Sequence, residues 1–113
     1  MQEIKIIDGD LPILGEIIPQ GVSPLEHLQV LHIIRSQVVQ VRVEAMLQVA
    51  SKLRHLSLAH NKLVAVPAAV SLLEDLEELD LRHNAITRLS SLLSRLSRLR
   101  TLKLDHNRIR QVK

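Results

Sequence analysis

One stretch of sequence, from residue 53 to residue 109, decides the fold because it contains the same pattern three times. Residues 53–63 read LRHLSLAHNKL, residues 76–86 read LEELDLRHNAI and residues 99–109 read LRTLKLDHNRI. Each copy fits LxxLxLxxNxL, and successive copies are 23 residues apart (76 − 53 and 99 − 76). A fixed period of this size indicates a protein built from stacked repeats.

Two weaker copies precede these three. One starts at residue 28 and has Ser36 in place of Asn, and the other starts at residue 1 and has Gly9 there. These units are 25 and 27 residues long (53 − 28 and 28 − 1), so they contain small insertions. The sequence therefore predicts a single domain over residues 1–113, with about five repeats that begin near residues 1, 28, 53, 76 and 99.

These motifs resemble the leucine-rich-repeat family, in its short intracellular type with 23-residue repeats. The resemblance implies a right-handed α/β solenoid with a parallel sheet on the concave side and short helices or turns on the convex side. The LxL alternation independently predicts short strands with buried leucines. We expect strands near residues 31–33, 56–58, 79–81 and 102–104, a fifth near residues 4–6, and helical or turn segments such as 44–52 and 90–98.

An asparagine ends the pattern in the three clear copies, at Asn61, Asn84 and Asn107. A buried side-chain amide at this turn can pair with backbone groups of adjacent units that would otherwise lack a partner. We expect Ser36 to do part of this and Gly9 to do none of it, so the N-terminal turns should be less regular.

Composition excludes several classes of protein. The chain has no Phe, Tyr or Trp, so its core must be aliphatic, and it has no Cys, so it cannot be a disulfide scaffold. Neither a signal peptide nor a run of ~20 apolar residues is evident, so we expect no membrane insertion. A cytoplasmic, intracellular location is the simplest prediction.

The candidate binding surface is formed by the strand residues that alternate with the leucines. The resemblance implies a concave protein-binding face there, although each such residue could also belong simply to the solvated side of a sheet. We expect Asp80 to be exposed between buried Leu79 and Leu81. The candidate residues on this face are His32, Arg54, His55, Ser57, Glu77, Glu78, Asp80, Arg82, Arg100, Lys103 and Asp105.

Charge is unevenly distributed along the chain. Five acids lie between residues 74 and 80, whereas residues 88–113 contain eight Arg or Lys and only one acid. This polarity could steer a complementary partner. Alternatively, the acids could be compensated by neighbouring cations, namely Arg54 on one side and Arg100 and Lys103 on the other.

Three other kinds of function have weaker support. His60, His83 and His106 form one column before the asparagines, but a linear column does not provide the tetrahedral convergence that a metal ion needs. The basic tail could attract nucleic acid, yet no aromatic residue is present to stack on bases. Ser57 near His55 and Asp80 near His83 are chance neighbours on a charged strand, so we expect no enzyme, cofactor or metal.

The sequence thus predicts a protein–protein interaction module, with a structural spacer or docking segment of a larger scaffold as the alternative. The chain ends before the half-unit that would cover its last layer. Because a repeat normally buries its apolar side against a neighbour, we expect the last turn to be under-protected. We therefore expect that the chain is a fragment of a longer array, or that a partner or a second copy completes it at the C-terminal end.

Overall fold

The computed structural model describes residues 2–15, 28–47, 52–89 and 91–110. The first part of the chain forms β1 (Gln2–Ile7), β2 (Ile13–Leu14), β3 (Leu28–Ile34), β4 (Gln40–Val41) and α1 (Val43–Leu47). The second part forms β5 (His55–Ser57), a 3₁₀ helix (Ala68–Leu72), β6 (Glu78–Asp80), a second 3₁₀ helix (Ser91–Arg95) and β7 (Thr101–Lys103).

The main sheet has five strands in the order β1-β3-β5-β6-β7, and every neighbouring pair is parallel. Equivalent residues of successive repeats stand side by side, as in His55 beside Glu78 and Glu78 beside Thr101. The predicted α/β solenoid with units stacked in sequence order is therefore confirmed. The last three strands begin and end one residue earlier than predicted, because the second leucine of each LxL already lies where the chain leaves the sheet.

The core consists of aliphatic layers, as the lack of aromatic residues requires. In the middle of the stack, Leu56, Leu79 and Leu81 are at most 1% exposed. At the last strand the equivalent Leu102 and Leu104 are only half-buried. An end strand has a neighbour on one side only, so its inward side chains are covered less completely.

The other side of the core is covered by short helices. α1 packs against the first 3₁₀ helix, which in turn packs against the second. Pro67 precedes the first 3₁₀ helix with φ −62°, which is the angle its ring imposes and which suits a helix start. The predicted segments 44–52 and 90–98 are thus partly helical, and residues 48–51 and 90 lie outside the described residues.

The asparagine ladder is present and is centred on Asn61. Its Oδ1 accepts hydrogen bonds from the backbone N–H groups of Ser36 (3.0 Å) and Val38 (3.1 Å). Its Nδ2 donates to the carbonyls of Ile33, Leu58 and Ala59. The side chain therefore joins two consecutive turns, as predicted.

The ladder continues in both directions from Asn61. Asn84 Oδ1 accepts from the backbone N–H of Leu63, and Asn107 Oδ1 accepts from that of Ile86. Ser36 replaces Asn in part, because its Oγ accepts one hydrogen bond, from the Gly9 amide, and donates to a carbonyl of its own turn.

Candidate functional site: the strand face

The strand face is defined here as the side of the five-stranded sheet that points away from the core. Its central feature is a depression of about 330 Å³ above β3, β5 and β6. Val30, which stands beside His55 in the sheet register, lines it, and Leu56 of the core layer, only 1% exposed, borders it from below. The structure also brings five of the predicted binding residues into this depression: His32, His55, Ser57, Glu78 and Asp80.

Two of these five residues are buried, which corrects the expectation for Asp80. Asp80 is only 7% exposed and Ser57 only 5%. Both side chains are short and lie close to the sheet, so longer neighbours cover them. Arg82 covers Asp80 directly, because its Nε and Nη2 donate to the two carboxylate oxygens at 2.9 and 2.8 Å and its backbone N–H donates at 3.1 Å.

The Asp80 carboxylate is held in its charged form. Burial raises the pKa of Asp80. The hydrogen bonds from Arg82 and the positive charges of Arg82 and Lys103 lower this pKa by more than burial raises it, so it lies below its usual value. The same hydrogen bonds raise the pKa of the Arg82 guanidinium. Asp80 and Arg82 therefore form a fixed, hydrogen-bonded ion pair on the strand face, which we call the clasp. Neither side chain is a freely exposed charge.

Six predicted residues lie outside the depression. Arg54, Arg100 and Asp105 are exposed, whereas Glu77, Arg82 and Lys103 are half-buried. The acids of the face are engaged by neighbouring cations, in the pairs Arg54–Glu77 (3.6 Å) and Lys103–Glu78 (3.6 Å). The interpretation of mutually compensating charges is therefore supported, except that Arg100 forms no ion pair with any described residue.

A stack of three histidines runs along one rim of the strand face. The ring centroids of His60 and His83 are 4.1 Å apart and those of His83 and His106 are 4.2 Å apart, with interplanar angles of 10° and 9°. These side chains are exposed. The sequence places the three histidines in one column, and the structure shows that their rings are in contact.

The backbone of this column is left-handed in every repeat. Asp8, Arg35, His60, His83 and His106 have φ between 51° and 61°, which few residues other than Gly adopt. His and Asp tolerate this conformation better than most side chains, which fits their presence before the asparagine. Sequence reasoning missed the left-handed turn, although the repeated HN pair was a signal for it.

The surroundings of the middle ring, His83, favour its neutral form. Burial lowers the pKa of His83, and the charges of His60, His106 and Arg82 lower it further, while Asp80 opposes them. Parallel rings direct their nitrogen lone pairs along parallel planes, so they cannot converge on one metal ion. In the described part of the chain, no group of three or more His, Cys, Asp or Glu side chains could hold a metal ion.

The residues considered for catalysis have structural partners. Ser57 Oγ accepts a hydrogen bond from the backbone N–H of Ala59 (3.4 Å), and Asp80 is engaged by Arg82.

Within the described ranges, none of the helices is long and apolar enough to cross a membrane.

Comparison with known protein families gives one match. The family model described as leucine rich repeat matches residues 26–86 and, in a second overlapping alignment, residues 51–109. Together the two matches span residues 26–109, which is most of the chain. A comparison with curated proteins found no match.

Proposed function

Because the chain belongs to the leucine-rich-repeat family, we propose that it is a protein-interaction module that binds a protein partner through its strand face. Domains of this family are generally interaction modules, built on a fold without catalytic machinery of its own. The observation that carries the proposal is the depression, where aliphatic Val30 adjoins the imidazoles of His32 and His55 and the carboxylate of Glu78. Aliphatic groups beside a few fixed polar groups are characteristic of a protein-binding surface.

The binding residues that we propose are those of the strand face, with different roles. His32, His55 and Glu78 line the depression and offer polar contacts, while Arg54, Glu77, Lys103 and the exposed Arg100 and Asp105 form its charged surroundings. Ser57, Asp80 and Arg82 hold the shape of the surface, and Asn61, Asn84 and Asn107 hold the turns beneath it. We propose no catalytic residue and no cofactor.

We further propose a cytoplasmic location, because a chain without Cys does not depend on an oxidising compartment for its stability. A spacer within a larger scaffold is the competing function. A spacer would use its surface only for solubility, so changes on the strand face would leave its associations intact.

The test compares two matched double variants of the immobilised chain. Arg100→Glu with Thr101→Glu places two acids on exposed positions of the strand face, whereas Ser94→Glu with Arg95→Glu makes the same charge change on exposed positions of the second 3₁₀ helix. Proteins retained from a cell lysate are compared by quantitative mass spectrometry. Loss of a set of proteins from the strand-face variant alone supports the proposal, and equal retention by both variants favours the spacer.

A further inference from the structure

The histidines of this chain are concentrated on one surface. The chain has six, of which His27 lies outside the described residues. The other five all lie on the strand face or its rim: His32 on β3, His55 on β5, and His60, His83 and His106 in the stack. Imidazole is the side chain whose ordinary pKa, about 6.5, falls nearest to physiological pH. The side chains of the described residues whose type is most sensitive to pH near neutrality are therefore concentrated on this surface.

Among these five histidines, the three of the stack have rings in direct contact, so the charge of one ring acts on the next. The three rings lie 4.1 and 4.2 Å apart, so protons on adjacent rings repel each other. Among the described residues, Arg82 and Asp80 act on the middle ring, and Asp105 precedes His106 in the chain. Arg35 holds the equivalent left-handed position one repeat before His60 and is bound to Asp8 at 2.8 Å. Both Asp8 and Asp80 are already engaged by an arginine. Asp105 is the one of these three acids without an arginine partner among the described residues, so protons added to more than one ring would exceed the negative charge available beside the stack.

Among the described residues of this surface, two arginines and one acid, Asp105, form no ion pair, so the unpaired charge is positive on balance even before protonation. Glu77, Glu78 and Asp80 are each engaged by a cation of the same chain. By contrast, two arginines in the repeat that contains His106 form no ion pair with the described residues, namely Arg100 and Arg108. Complementarity therefore favours an acidic partner over a basic one.

We propose that the stacked histidines make the strand face and its rim a proton-dependent binding surface for an acidic segment of a protein partner. This inference rests on the proposed function and adds to it the charge of the partner and the regulation of binding. Protonation of imidazole on acidification adds positive charge to this surface, and that charge would join Arg100 and Arg108 in attracting the partner.

The experiment uses the full chain and a fluorescein-labelled poly-aspartate peptide. Aspartate has an ordinary pKa of about 3.9, so the probe stays ionised between about pH 7.5 and about pH 5.5. Binding is followed by fluorescence anisotropy at constant ionic strength at both pH values. We expect the wild-type chain to bind about tenfold more tightly at the lower pH, as two or three additional exposed charge pairs would give.

The decisive variant is His60→Asn with His83→Asn and His106→Asn. Asn also tolerates the left-handed backbone, so this variant keeps the turns while it removes the titrating rings. We expect its affinity to change by less than about twofold over the same pH range. Far-UV circular dichroism at both pH values checks its fold. If the triple variant does not fold, His83→Asn alone removes the middle ring, and it should weaken the pH effect to about threefold.

The matched control is His32→Asn with His55→Asn, which removes two imidazoles from the strands and leaves the stack intact. Because these two residues belong to the proposed binding surface, its affinity should fall at both pH values, but the ratio of the two affinities should stay close to that of wild type. The proposal is overturned if wild type and triple variant respond equally to pH, if wild type does not respond, or if the control alone abolishes the response. Equally tight binding of an oligothymidylate at the lower pH would also overturn it, in favour of nucleic acid. The lysate comparison at a single pH reports separately on the proposed function.

Discussion

The asparagine ladder makes the sharpest quantitative prediction, because the number of backbone groups that each asparagine satisfies differs along the chain. Asn61→Ala removes the acceptor for two buried backbone amides, those of Ser36 and Val38, and the donor to three carbonyls. A buried amide left without a partner costs about 1–3 kcal/mol, so the two amides should lower the free energy of unfolding by roughly 2–6 kcal/mol.

Asn107→Ala provides the internal comparison. Asn107 accepts from one amide, that of Ile86, and is half-buried, so its loss should cost only about 1–3 kcal/mol. Urea titrations of both variants measure the two values, provided that the m-values stay equal. If Asn61→Ala lowers the free energy of unfolding by no more than Asn107→Ala does, the number of unpaired amides does not determine the loss, and the reasoning is refuted.

Further predictions concern the core, the clasp and the last strand. Leu81→Ala should lower the free energy of unfolding by ~2–5 kcal/mol in a urea titration, the range for a fully buried leucine; a loss below ~1 kcal/mol would contradict its place in the core. Asp80→Ala should cost roughly 1–3 kcal/mol because the Arg82 amide loses its acceptor, whereas a value near zero would show that the clasp is unimportant. Because folding lowers the pKa of Asp80, its contribution to stability is present above the unfolded value of about 3.9 and is lost as pH falls through the lower folded value. Asp80→Asn should therefore flatten the pH dependence of the unfolding midpoint in that acid range, and an unchanged profile would contradict the shift. Hydrogen exchange measured by NMR should be faster in β7 than in β6, which has strand neighbours on both sides; equal protection would mean that the last strand is already covered.

Some features of the strand face could not be predicted from the repeat pattern. The alternation of leucines correctly predicts which side of each strand is buried, but it treats every intervening residue as exposed. Asp80 and Ser57 are exceptions. Asp80 is buried because Arg82, two residues beyond it, extends back over it, and this contact depends on a rotamer that the pattern does not specify. The five-repeat count and the under-protected last turn remain predictions.

The sequence by itself determined the period, the parallel order of the strands, the aliphatic core and the asparagine ladder. These follow from local alternation and from a spacing of 23 residues that brings equivalent positions side by side. Only the tertiary structure decided how side chains from different turns combine: the depression shared by three strands, the ion pairs that neutralise the acids, and the ring contacts of the histidine stack. Alignment of the repeats predicts which residues become neighbours. The distances between those residues depend on the left-handed turn and on how closely the repeats stack.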